Sequence, residues 1–274
     1  MKQYLAIIGM DIKLALRLRA VIFFNFLFPL IFFFTFATVL RGESGAMTFV
    51  VTMSVTLGVL GSGFFGAGIR AIQEREMNIL RRYKVTPITP APLLVGSMVT
   101  GWVIFLPYIV LLLLMAHFLY QMPLPSHFFQ LLLFISLGLV AFRSLGLVIA
   151  SVANTMQEGT ILVQLFYFPM LLLSGATFPA EKFPRVMRII HNFVPATYLV
   201  QGMQNIMVKG QGLMEKQNLA AAGVMVLTIV GGMLISMKLF RWEKEEKIRG
   251  SAKLWVLVVL LPFIVMGAWQ WWKG

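Results

Sequence analysis

Residues 69–92 read IRAIQEREMNILRRYKVTPITPAP, a charged island between two long apolar runs. In a chain that is 59% hydrophobic, this stretch holds five basic residues (Arg70, Arg75, Arg81, Arg82, Lys84) and two acids (Glu74, Glu76). Taken as one helix, Ile72, Glu76, Ile79, Leu80 and Tyr83 recur at i, i+4, i+7, i+8 and i+11 and share a face, while Glu74, Asn78 and Arg81 lie on the other side. Thr86-Pro87 and Pro90-Ala91-Pro92 then stop the helix, because proline lacks an amide donor and restricts the residue before it. Two readings fit this spacing: a basic loop that only fixes topology, or an amphipathic docking helix held between two membrane spans.

The rest of the chain is built for lipid. A mean hydropathy of +0.86 with 12% charged residues is far from the quarter charged that soluble domains carry. Seven apolar runs are long enough to cross a bilayer, at residues 21–40, 46–68, 93–119, 128–152, 159–178, 219–240 and 254–272. They are continuous rather than alternating, which predicts helices, since lipid tolerates only helices or closed barrels. The first run is too long and Phe-rich for a cleavable signal and lacks a small-residue cleavage site.

Lys and Arg set the orientation. With the N-terminus cytoplasmic, the inner segments carry fifteen and the outer segments seven, with Arg143 inside a run. The net charge of +13 then faces anionic lipid, and no stretch interleaves basic and aromatic residues as nucleic-acid binding would require. The absence of cysteine excludes disulfides, thiolate metal sites and a thiol nucleophile. His117, His127 and His191 are too scattered to suggest a metal site. Gly61 to Gly66 satisfies G-x-G-x-x-G, but inside an apolar run, where Gly58, Ser62 and Gly66 suit close helix packing. No phosphate-cradling G-x-x-x-x-G-K-[ST] occurs.

Residues 1–20 predict an amphipathic helix lying in the interface, with Leu5, Ile8, Ile12 and Leu16 on one arc and Lys2, Lys13 and Arg17 on another. The outer segment 179–218 is too apolar for a free loop. Pro179, Pro184 and Pro195 punctuate it, and its apolar residues predict short helices that dip back into the membrane. Arg143 lies about two and a half turns from the inner end of the fourth run. Three readings stay open for it: snorkelling to the headgroups, a buried pair within the bundle, or a cavity wall touching anionic substrate groups. In the last run, Trp255 at one end and Trp269, Trp271 and Trp272 at the other form two aromatic belts about 25 Å apart.

The spaced residues Glu74, Arg75, Glu76, Leu80, Val85, Thr86 and Pro87, followed further on by YFPMLLLSGATFPAEKFPRVMRIIHNFVPATY (167–198), resemble the membrane subunits of type-2 ATP-binding-cassette (ABC-2 type) exporters over roughly residues 1–240. The landmarks in the second stretch are Pro169, Ser174, Gly175, Phe178, Pro179, Pro195 and Tyr198. The resemblance implies an all-α membrane permease of six spans with re-entrant outer helices, to which this chain adds a seventh span at 254–272. It implies that residues 70–86 form a coupling helix seated on a separate ABC ATPase subunit, with Glu74, Glu76, Leu80, Thr86 and Pro87 from the motif joined by Ile72, Ile79 and Tyr83 from the shared helical face. A translocation route is expected past Pro169, Ser174, Gly175, Phe178 and Pro179, with Arg143 added from its place in the membrane rather than from the resemblance. The chain would catalyse nothing and hold no cofactor, ATP and Mg being bound by the partner ATPase. It would pair with a second copy or a similar permease, among the lipids of a bacterial or archaeal plasma or inner membrane. The alternative is a membrane scaffold that docks an ATPase without moving solute. A secondary transporter is disfavoured by the scarcity of acids in the spans and the absence of an evident repeat.

Overall fold

The continuous apolar runs fold as helices, and the chain builds a bundle around two of them. The computed structural model describes residues 2–15, 17, 19–40, 45–84, 88–248 and 250–273, among which no strand occurs. Six helices are long and apolar enough to cross a membrane: span 2 (Ala46–Glu76), span 3 (Pro90–Tyr120), span 4 (Phe128–Val152), span 5 (Met156–Leu173), span 6 (Lys216–Lys238) and span 7 (Trp255–Trp272). Span 1 is assembled from Arg19–Ile22, a π-helical turn Phe23–Leu27, and Phe28–Val39. The backbone stays right-handed helical at both junctions, so residues 19–39 rise about 31 Å. The C-terminal run forms its expected helix, and its apolar faces pack on spans 4 and 6.

Spans 2 and 4 form the centre, with 89% and 72% of their most apolar stretches buried, against 22% for spans 5 and 7. Glycine makes that centre possible. A Cβ on Gly146 would lie 2.0 Å from the Gly63 carbonyl oxygen, and one on Gly63 would lie 2.6 Å from that of Phe142. The two backbones therefore touch where the sequence offers small residues. Span 2 is π-helical from Ser62 to Ile69 at this crossing. Phe64 lies edge-on to Phe142 and Tyr167 beside it.

One end of the bundle gathers the N-terminal helix Lys2–Ala15, the charged segment after span 2, and the turn between spans 4 and 5. The far end carries the re-entrant segment, which holds the 3-10 turn Ala180–Lys182 and the helices Arg185–His191 and Pro195–Met207. Pro195–Met207 packs into spans 2 and 4, as its apolar content predicts. Span 7 closes against this segment. A Cβ on Gly267 would lie 2.6 Å from the Asn192 carbonyl oxygen, and Phe263 sits 5.8 Å from the Tyr198 ring.

The expected single helix over 70–86 is corrected. Span 2 runs on through Arg70–Glu76, stops at Met77, and a separate helix Ile79–Lys84 follows. Asn78 makes the break at φ 57°, a left-handed conformation that asparagine tolerates better than most residues. The wheel that joined Ile72 to Tyr83 assumed unbroken periodicity, and the break resets it.

Candidate functional site

Successive residues on a helix point about 100° apart, so Glu74, Arg75 and Glu76 point in three different directions. Glu74 accepts a bond from Arg70 Nε at 2.9 Å, and Arg70 also pairs with Asp11 of the N-terminal helix. Arg75 is buried and donates to the carbonyls of Ala150 (2.9 Å) and Ala153 (2.6 Å), at the end of span 4. Glu76 accepts the Met156 amide at the start of span 5, at 2.5 Å. Arg75 and Glu76 thus tie span 2 to spans 4 and 5, and Arg70, held by Glu74, ties it to the N-terminal helix.

A second arginine completes this hub. Arg241, just beyond span 6, donates to the carbonyls of Ser151 (2.9 Å) and Ala153, to Asn154 Oδ1 (2.8 Å) and to the Glu246 carbonyl (2.8 Å). Burial lowers its pKa, while Glu158 and Glu246 act against that shift. Opposite the two cations, Glu158 accepts the Asn154 amide (2.8 Å), and Thr155 Oγ1 accepts the Glu158 amide (3.1 Å). Cations therefore sit at the carbonyl end of span 4 and acids at the amide end of span 5, the arrangement each helix dipole favours.

The expected docking residues are mostly spent inside the protein. Ile72 is fully buried with Ala150 and Ala153, and Gly159 leaves room for its tip. Leu80 is buried. Ile79 and Tyr83 are half-buried, with the Tyr83 hydroxyl 3.6 Å from Met10 Sδ. Thr86 and Pro87 lie outside the described residues. What faces outward here is Met77, 59% exposed, with Arg81 and Arg82.

Arg143 does not snorkel. It is 2% exposed, and its guanidinium is enclosed by spans 2, 3 and 4. Nε donates to the Ser97 carbonyl (3.0 Å), Nη2 to the Ser97 carbonyl and hydroxyl (2.6 and 3.1 Å), and Nη1 to the Ser62 carbonyl and hydroxyl (3.0 and 2.8 Å). These bonds engage all five of its N–H donors. A Cβ on Gly101 would fall 2.2 Å from the guanidinium carbon, so only glycine leaves space for it.

At the far end, Ser174, Gly175 and Pro179 line a cavity of about 750 Å³, while Pro169 and Phe178 lie on the outer surface of the bundle. Gly175 turns the chain at φ 84°. His191 Nδ1–H donates to the Leu173 carbonyl (2.6 Å), and Thr197 donates to the His191 carbonyl (2.7 Å). The Tyr198 hydroxyl donates to the Asn192 carbonyl (2.5 Å). Burial pushes the His191 imidazole below its ordinary range, against the Leu173 bond and Glu181, so neutral imidazole fits this network.

Sequence reasoning passed over Asp11, Asn154 and Arg241, and gave Arg75 a place in the spaced motif but no role. Asp11 carried one signal, as the only acid in the first forty residues. Thr155-x-x-Glu158 also carried one, since it has the spacing of a helix-start capping pair. Nothing near Arg241 announces a partner some 90 positions earlier.

Apolar helices closed at one end by charged caps and at the other by a re-entrant segment define a multi-pass membrane protein. Residues 2–208 match the ABC-2 type transporter family, and the chain belongs to that family. It is 27% identical over 178 residues to the inner membrane transport permease YhhJ of Escherichia coli, covering 65% of this chain and 46% of that one. It is 28% identical over 138 residues to the probable multidrug ABC transporter permease YbhR of the same species, covering 49% and 36%. To the putative transport permease YvfS of Bacillus subtilis it is 24% identical over 242 residues, covering 86% and 95%. The match thus spans less than half the length of either E. coli relative.

Proposed function

We propose that this chain is the membrane subunit of an ABC exporter, driven by a separate ATPase that holds ATP and Mg. Two copies, or one copy and a similar permease, would enclose the route. The hub carries this reading: Arg75 and Glu76 join the end of span 2 to spans 4 and 5, and Arg70, paired with Glu74 and Asp11, joins it to the N-terminal helix. A partner pressing on one exposed patch there would move several spans together. That patch is Met77, Arg81 and Arg82, which replaces the wheel face expected from sequence as the contact surface.

Leu80→Asp is a poor test, because it would break the chain's own packing. The decisive variant is Arg81→Glu with Arg82→Glu, whose side chains already face outward; within the chain Arg81 reaches Glu243 at 4.0 Å, a partly exposed pair of little worth to stability. Reversing two interface charges should weaken ATPase association at least tenfold in co-purification, while membrane insertion and thermal unfolding stay unchanged. Undiminished co-purification of the double variant would remove this coupling surface. Association without solute-dependent ATP turnover would favour the scaffold reading.

A further inference from the structure

The 750 Å³ cavity at the far end lies within the roughly 300–1,000 Å³ typical of ligand sites. One of its walls comes from span 7, which contributes Met266, Trp269 and Gln270. Beside Ser174, His191 and Tyr198, its polar lining carries four glutamine amides: Gln201, Gln204, Gln217 and Gln270 converge from the re-entrant helix, span 6 and span 7. Among the described residues, no intramolecular side-chain bond occupies Gln204, Gln217 or Gln270. Asn205, by contrast, is already committed to Asn218 at 3.1 Å.

Glu181, Lys209 and Lys216 also line the cavity, but at its exposed margin, and none of its described lining residues is a buried lysine or arginine. A primary amide both donates and accepts, as a hydroxyl does, so an amide-lined wall matches a surface of vicinal hydroxyls better than a bare anion. Trp269 belongs to the aromatic cluster at the end of span 7, which marks headgroup depth. Phe49, Val200 and Met266 give the same cavity an apolar side suited to the start of acyl chains.

We propose that this cavity binds the hydroxyl-rich sugar headgroup of a glycolipid. The site stands on the cavity alone and does not depend on ATPase coupling, so lipid retention and ATPase association can fail separately.

The test releases the full chain from phosphatidylethanolamine nanodiscs doped equally with glucosyl-diacylglycerol and phosphatidylglycerol, and counts retained lipids by native mass spectrometry. Glucosyl-diacylglycerol should be retained in about fivefold excess or more, the worth of roughly one net hydrogen bond. Gln204→Leu combined with Gln270→Leu should erase that excess. The single exposed change Gln217→Leu should reduce it, which keeps the test decisive if the double variant folds poorly. Displacement of the lipid by excess free maltose assigns recognition to the sugar alone. Failure of maltose to displace it, with the excess intact, assigns recognition to the lipid-anchored sugar. Equal retention, a preference for phosphatidylglycerol through the exposed lysines, or an excess that survives all three substitutions overturns the site.

Discussion

Two serines and a glycine on neighbouring spans decide what Arg143 does. Its charge made burial costly, but its own sequence context left snorkelling, pairing and a cavity wall open. Ser62 and Ser97 supply the oxygens, and Gly101 supplies the space. These residues lie 81, 46 and 42 positions from Arg143, beyond any local pattern. Arg143→Met deletes the charged donor shared by the carbonyls and hydroxyls of Ser62 and Ser97. That loss should outweigh the relief of burying no charge, and lower stability by about 2–3 kcal/mol. Arg143→Lys should not rescue it, because one ammonium cannot fork between Ser62 and Ser97. Thermal unfolding in detergent reads both variants, and a wild-type melting temperature for Arg143→Met would end the bridging role.

At the scale of elements, the apolar runs were legible because hydrophobic length is a local property. Span 4 spans 128–152 as expected, while span 5 begins at Met156 and ends at Leu173 rather than covering 159–178. Both ends shift for capping reasons: Thr155 and Glu158 open the helix early, and the left-handed Gly175 lies just past its close. The break at Asn78 was hidden for a different reason. Arg75 and Glu76 are held by spans 4 and 5, a tertiary demand with no trace in the local spacing. Those ties also make a quantitative prediction. Arg75 and Arg241 share the Ala153 carbonyl, so Arg75→Met and Arg241→Met should be non-additive, with a coupling of about 0.5–3 kcal/mol in a double-mutant cycle of unfolding. Strict additivity would mean that the two arginines act separately.

For the whole molecule, the basic residues predict which end faces the cytoplasm, and that prediction is open to a clean test because the chain has no cysteine. Lys209→Cys should react with a membrane-impermeant maleimide in intact cells, whereas Arg81→Cys should react only after permeabilisation. The reverse pattern would invert the orientation and move the ATPase surface to the wrong side. The far cavity was the least legible feature. Its walls come from residues 174–181, 191–209, 216–221 and 266–270, with Phe49 added, segments that are each unremarkable alone. The family resemblance pointed to Ser174, Gly175 and Pro179, but the wall from span 7 lies in the C-terminal extension beyond the region it covers.

The π-helical stretch Ser62–Ile69 has a bearing on how span 2 is oriented along its length. Each π turn holds more residues than the α turns on either side of it. The residues above it and those below therefore keep different angular origins around a shared axis. A face counted from Val51 and Val55 cannot be extended to Arg75 by adding 3.6 residues per turn. Core packing sets the phase of the upper part, and the caps of spans 4 and 5 set the phase of the lower part. Span 2 is continuous as a rod, but as an angular scale it has two zero points.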